Sequence, residues 1–319
     1  MDRSARIWIA GGGRFTGGAL ARRLREAGCE QVLVGPEGRE ARDAAALDAF
    51  FARERPAYVF LLGGASGGIA RNLREPAALM LDNLRLETAV IDAAHRHGVR
   101  KLLYLAAACV YPRDCDQPMQ PAQLGSGPLE PTSEAYAMAK WTGLVLCGAY
   151  ARQHGARFVS AIPANPFGPG ASTSPEDGHV VEGLLRRFHE ARRRADAEVV
   201  VWGTGAPRRD FLYVDDLADA LLFLMERYDG AEPVNVSSGW ELSIRELAGR
   251  IAQVVGFEGR IRFDPSRPDG APRKVLDGAP LRALGWRPRA SLDEALAATS
   301  RFVAAELAAP AGAGAAAHA

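Results

Sequence analysis

Long apolar runs are missing from this chain of 319 residues. No stretch approaches the roughly 20 apolar positions of a membrane-crossing helix, and the apolar run at residues 7–10 is too short for the core of a secretory signal. An excess of charge of either sign is missing too. Lys plus Arg number 39 against 38 Asp plus Glu, so no global field draws the protein to nucleic acid or to an anionic membrane. Cysteine is sparse: Cys29, Cys109, Cys115 and Cys147 show no paired short spacing, which argues against both a zinc site and a disulfide framework. No internal repeat is visible, which excludes solenoids and propellers. The expectation is a soluble, cytoplasmic protein with no metal, no nucleic-acid partner and no membrane partner.

What is present is an alternation of short apolar runs and helical patterns. Strands are expected at residues 6–10, 31–34, 58–62 and 101–106, with helices at 19–27, 44–53 and 79–97 between them. Such β-α-β order implies an α/β fold with a doubly wound parallel sheet, whose ligands lie at the carboxyl ends of the strands. Beyond Pro163 the texture becomes turn-rich, and a basic helix is expected at 179–194. Residues 1–164, with a returning part of about 211–240, are expected to form the dinucleotide-binding domain. Residues 165–210 and 241–305 are assigned to a smaller C-terminal substrate-binding lobe, and 306–319 to a disordered tail rich in Ala and Gly.

Two motifs carry chemistry. After the first strand, Gly11, Gly13, Arg14, Phe15, Thr16 and Gly17 lead into a helix, and glycines there let the backbone approach a pyrophosphate at the helix N-terminus. No acidic residue stands at the tip of the second strand to hold a ribose 2′-hydroxyl, whereas Arg39 or Arg14 suits a 2′-phosphate; NADP(H) is therefore expected rather than NAD. Further along, Tyr136 and Lys140 lie four residues apart and share one helix face. An ammonium beside a phenol favours the phenolate and lowers the tyrosine pKa from its usual value of about 10, which makes Tyr136 a candidate proton donor to a carbonyl oxygen. The spacing is common by itself, and context must decide.

Taken with the second lobe, these motifs resemble the extended short-chain dehydrogenase/reductases. The runs Cys109-Val110-Tyr111-Pro112, Val201-Trp202-Gly203, Arg209-Asp210-Phe211-Leu212-Tyr213-Val214-Asp215-Asp216 and Pro268-Asp269-Gly270-Ala271-Pro272-Arg273-Lys274 narrow the resemblance to the GDP-L-fucose synthase family. The resemblance implies a Rossmann-type cofactor domain and a two-part reaction: epimerisation of GDP-4-keto-6-deoxy-D-mannose at C3 and C5, then reduction of the C4 ketone by NADPH. It implies Cys109 and His179 as the acid/base pair, residue types whose ordinary pKa values of about 8.5 and 6.5 bracket neutrality. It also implies that Lys140 touches the nicotinamide ribose, that His179 reaches the cofactor, and that the protein is a homodimer built partly through the helix bearing Tyr136. For the GDP-sugar, Arg187, Arg209 and Lys274 are candidates on the diphosphate, with Trp202 and Asp269 on the guanine, ribose or sugar side.

The chain departs from the family in places that matter. Ala107 and Ala108 stand where a pair of serines normally precedes the cysteine, and losing such a donor beside a ketone costs on the order of 10²–10³ in rate. Arg14 occupies the middle glycine position of the loop, where a positive φ or a close approach would disfavour it. Gly35 stands where the family usually supplies an arginine for the 2′-phosphate. Three functions follow as alternatives: a full epimerase-reductase making GDP-L-fucose or a related GDP-6-deoxy sugar, a 4-keto GDP-sugar epimerase with impaired reduction, and a non-catalytic dinucleotide-binding regulator.

Overall fold

The computed structural model describes residues 1–35, 40–174, 179–267 and 269–309. Its first body runs β1 (Ile7–Gly11), α1 (Gly18–Glu26), β2 (Val32–Val34), α2 (Ala44–Glu54), β3 (Tyr58–Gly63), α3 (Ile69–Arg74), α4 (Pro76–Arg96), β4 (Lys101–Leu105), α5 (Glu134–His154) and β5 (Phe158–Pro163). The chain continues through β6 (Asn165–Phe167), α6 (Val180–Arg194), β7 (Glu198–Trp202), β8 (Arg208–Tyr213), α7 (Val214–Arg227) and β9 (Val234–Val236). It closes with β10 (Trp240–Ser243), α8 (Ile244–Val255), β11 (Arg260–Asp264), β12 (Arg273–Lys274), α9 (Ala279–Ala283) and α10 (Leu292–Ala308).

The main sheet has the order β2-β1-β3-β4-β5-β9, and every pairing in it is parallel. Helices α1 and α7 pack together, and α2, α4 and α5 form a second set in which α4 lies along α5. Strands covered on both faces need apolar residues at every position rather than alternation. The chain supplies them: β3, β4 and β5 are buried throughout. Strand order reverses between β1 and β3, and there Gly11 pairs with Gly63. A Cβ on Gly11 would lie 1.9 Å from the Gly63 carbonyl oxygen, so two backbones meet at the switch point where such sheets bind ligands.

A smaller body is built from β8 with β6, β10 and β12, from the parallel pair β7 and β11, and from α6, α8 and α10. Helices α8 and α10 each begin with a reciprocal cap, Ser243 with Glu246 and Ser291 with Glu294, which satisfies amide donors that a helix start leaves unpaired. The last helix corrects one expectation. Residues 306–308, assigned to a disordered tail, are helical, because Leu307 packs against the core and Glu306 ion-pairs with Arg14. Residues 310–319 lie outside the described residues.

Candidate active site

The glycine loop sits at the carboxyl end of β1. Gly11, Gly12 and Gly13 have φ of 77°, 85° and 48°, values that side-chain-bearing residues rarely adopt. The next turn, Gly13–Gly17, winds directly into α1, and Gly17 donates to the Gly12 carbonyl at 3.0 Å. Thr16 is buried and Phe15 packs against the core, so this turn is fixed from below. Glycine backbone packed this tightly before a helix N-terminus is a cradle for a pyrophosphate, and the residues fit a dinucleotide. Arg14 causes no backbone strain there, contrary to the sequence expectation: the three preceding glycines carry the positive φ, and Arg14 is exposed with its guanidinium 3.7 Å from Glu306. Arg39, the other candidate for a 2′-phosphate, lies outside the described residues.

Strand β4 delivers Ala106 and Ala107 to the sheet edge, where a short turn, Ala108–Val110, presents Cys109. Helix α5 brings Tyr136 and Lys140 to the same edge, and Gly143 allows the approach because a Cβ there would strike the Tyr104 ring. Lys140 donates to Glu87 Oε1 at 2.8 Å and to the Leu105 carbonyl at 3.2 Å. Its partner Glu87 comes from α4, and the two side chains are 3% and 1% exposed. The sequence suggests that Lys140 lowers the Tyr136 pKa; the net shift in the structure is in the opposite direction. Burial raises Tyr136 well above the ordinary tyrosine value, and the charges of Cys109 and Glu87 push the same way.

Cys109 is also shifted upward, to about 11, because burial penalises the thiolate more than Lys274 and Lys140 favour it. Burial lowers His179, which stands at the N-cap of α6 and still keeps solvent access. At neutral pH Cys109 is therefore a protonated thiol and His179 a neutral imidazole, one acid and one base. Cys109, Lys274 and Asn165 line a cavity of about 130 Å³ together with Asp210. Asp210 is 1% exposed and burial raises its carboxyl to about 7, opposed by the Leu276 amide, which donates to one oxygen, and by the Ser237 side chain.

The remaining candidates lie in the smaller body. Trp202, at the end of β7, is 60% exposed, and Arg187 and Arg267 stand over its ring at 5.4 and 5.1 Å. Arg209 is held in β8 by donating to the Ala271 carbonyl at 2.7 Å and to the Arg208 carbonyl at 2.8 Å. Asp269 uses both oxygens on Thr204, accepting from its amide at 2.9 Å and its hydroxyl at 2.6 Å, and so braces the turn after Trp202. Sequence reasoning missed Glu87, Asp210 and Glu182. Glu182 is fully buried, its carboxyl raised to about 7 by burial and accepting from the Gly168 amide. The signal for Glu87 was available: Asn83 and Glu87 are polar residues four apart on a helix whose other buried positions include Leu79, Leu86, Val90 and Ile91.

Residues 7–237 match the family described as NAD dependent epimerase/dehydratase family. GDP-L-fucose synthase 1 of Arabidopsis thaliana is 45% identical over 93% of this chain and 93% of its own length. GDP-L-fucose synthase of Escherichia coli (strain K12) is 43% identical over 93% and 96%. A crystal structure of a GDP-L-fucose synthetase from Naegleria fowleri bound to NADP superposes with a TM-score of 0.86 at 27% identity, covering 96% of each chain.

Proposed function

The chain belongs to the NAD dependent epimerase/dehydratase family and, within it, to the GDP-L-fucose synthases, and on that footing we propose that it converts GDP-4-keto-6-deoxy-D-mannose to GDP-L-fucose by epimerisation and NADPH-dependent reduction. The observation that carries this reading is the place of Cys109 at the carboxyl edge of β4, within electrostatic reach of Lys274, Lys140 and Tyr136. The C4 ketone acidifies the hydrogens at C3 and C5. His179, a neutral base, takes a proton from one face, and the Cys109 thiol returns one to the other. Bound NADPH supplies the hydride for C4. Tyr136 donates the proton to the C4 oxygen, Lys140 orders the site from below and binds the nicotinamide ribose, and the Gly11–Gly13 backbone with Thr16 and Gly17 holds the pyrophosphate. Ala107 gives no hydroxyl at this edge, so Tyr136 is the side-chain donor on which reduction depends.

In this reading residues 1–164 and 211–240 hold the cofactor, while 165–210 and 241–305 hold the GDP-sugar. Arg187, Arg209 and Lys274 serve the diphosphate, and Trp202 presents a flat apolar face to the nucleoside. Asp269 acts by fixing the Trp202 turn. Homodimerisation through α4 and α5 is supported by Leu81, Met138 and Val145, which are exposed on those helices. A cytoplasmic location is supported by four free cysteines, and among the described residues no helix is long and apolar enough to cross a membrane. The test is incubation with GDP-4-keto-6-deoxy-D-mannose in deuterated water, following deuterium at C3 and C5 together with loss of NADPH absorbance. Both signals are expected. Deuterium without NADPH oxidation would leave an epimerase, and neither signal despite measurable cofactor binding would leave a dinucleotide-binding regulator or another substrate.

A further inference from the structure

Lys140 lies on the floor of the site with its ammonium pressed against the Gly63 backbone: a Cβ on Gly63 would come within 2.3 Å of Nζ. From there it reaches the Leu105 carbonyl and Glu87. Glu87 is buried in the middle of α4 with one oxygen on Lys140, and the Tyr104 hydroxyl stands close enough to the carboxyl group to act on its charge. A carboxylate in such surroundings is expensive unless its charge is needed for something nearby. What lies nearby is the reducing edge of the site. The titratable groups around the pair are Tyr136 and Cys147 on α5, Tyr104 on β4 and Cys109 on the turn after it. Tyr104 donates to the Lys140 backbone carbonyl at 3.1 Å and so ties α5 to β4 at this depth.

We propose that Glu87 is a positioning residue for the reductive step, holding the Lys140 ammonium between Gly63 and the Leu105 carbonyl at the carboxyl edge of β4 and offsetting its charge. The inference rests on the reading of Tyr136 as proton donor. An uncompensated ammonium would draw a proton off the phenol before the ketone needs it. With the carboxylate in place, Tyr136 remains a phenol through neutral pH, consistent with the upward shift that burial, Cys109 and Glu87 give it. Burial raises the Glu87 carboxyl as well, and the Lys140 ammonium 2.8 Å away opposes that rise.

The test is Glu87→Gln, which keeps size and removes the charge. The alkaline limb of the kcat profile for NADPH oxidation is expected to move about one to three pH units lower, the range a neighbouring opposite charge imposes. Reduction is expected to fall about tenfold more than deuterium exchange at C3 and C5. A second readout needs neither substrate nor cofactor: phenolate absorbance titrated with and without Tyr136→Phe isolates the Tyr136 pKa, which is expected to drop in Glu87→Gln. An unmoved limb and an unmoved Tyr136 titration would overturn the proposal, and so would equal losses in both half-reactions. If Glu87→Gln does not fold, Glu87→Asp decides: a lower kcat for reduction with exchange retained supports positioning, and two unchanged half-reactions refute it. Because the absorbance titration is independent of substrate, a wild-type protein that fails to oxidise NADPH would count against the assigned reaction and leave this inference to be judged separately.

Discussion

The two sides of the candidate site are built on opposite electrostatic terms. At the reducing edge, Lys140 and Glu87 are almost wholly buried and 2.8 Å apart. On the side proposed for the nucleotide, Trp202 is 60% exposed, with Arg187 and Arg267 against its ring. Charge interactions are strong in the dry interior and weak in water: two unit charges at 4 Å exchange about 1 kcal/mol in water and several times that near or inside protein. The buried side is therefore suited to controlling protonation, and the wet side to attracting and orienting an anionic ligand with modest energy per contact. Changes at the first should appear in kcat and pH profiles, and changes at the second in KM.

The largest effect expected is at Tyr136. Tyr136→Phe removes the proposed proton donor, and NADPH oxidation should fall about 10²- to 10⁴-fold while deuterium still enters C3 and C5; parallel loss of both would erase the contrast between the two half-reactions. Cys109→Ser should do the reverse, lowering exchange by a similar factor because a hydroxyl is a much weaker acid than the thiol. Ala107→Ser should increase reduction by up to about 10²-fold if the added hydroxyl reaches the ketone oxygen; steady-state NADPH oxidation would show no gain if backbone or water already fills that role. On the exposed side, Trp202→Ala should raise KM for the GDP-sugar only a few-fold, since cation–π and stacking contacts at exposed sites contribute about 0.5–1 kcal/mol.

The pH dependence of deuterium exchange gives a further check. Burial lowers His179, so its imidazole is neutral and able to accept a proton until the pH falls below that depressed value. Exchange should therefore rise with pH through a limb lying under the ordinary histidine value of about 6.5. It should then stay level through neutrality and decline only as the Cys109 thiol ionises near its raised value of about 11. An acidic limb above 6.5 would assign the base to another group, with Asp210 or Glu182, both raised to about 7, as the alternatives in the structure.

Much of the fold was legible because its signals are local. Buried parallel strands need unbroken apolar runs, and the runs beginning at Ile7, Tyr58 and Lys101 mark β1, β3 and β4 to within a residue or two. The helix from Leu79 onward was read from its periodicity, but its start at Pro76 was not, since the first turn faces outward and carries little of that signal. Arg14 shows how a local argument fails. A side chain in place of a loop glycine looked strained, yet the φ values are carried by Gly11, Gly12 and Gly13, and the side chain turns to Glu306 almost 300 positions away.

By itself the sequence determined the alternation of strands and helices, the glycine turn and the four-residue spacing of Tyr136 and Lys140, because each depends on residues within a turn or a strand of one another. Tertiary structure decided the protonation states. Glu87 is 53 positions from Lys140, and only the packing of α4 along α5 brings its carboxylate to the amine and removes both from water. That pairing sets a carboxyl group against the lysine expected to acidify Tyr136, while burial raises the phenol's pKa. Proton affinity depends on the charges and the dielectric within a few ångströms, and in a folded chain those neighbours come from anywhere in the sequence.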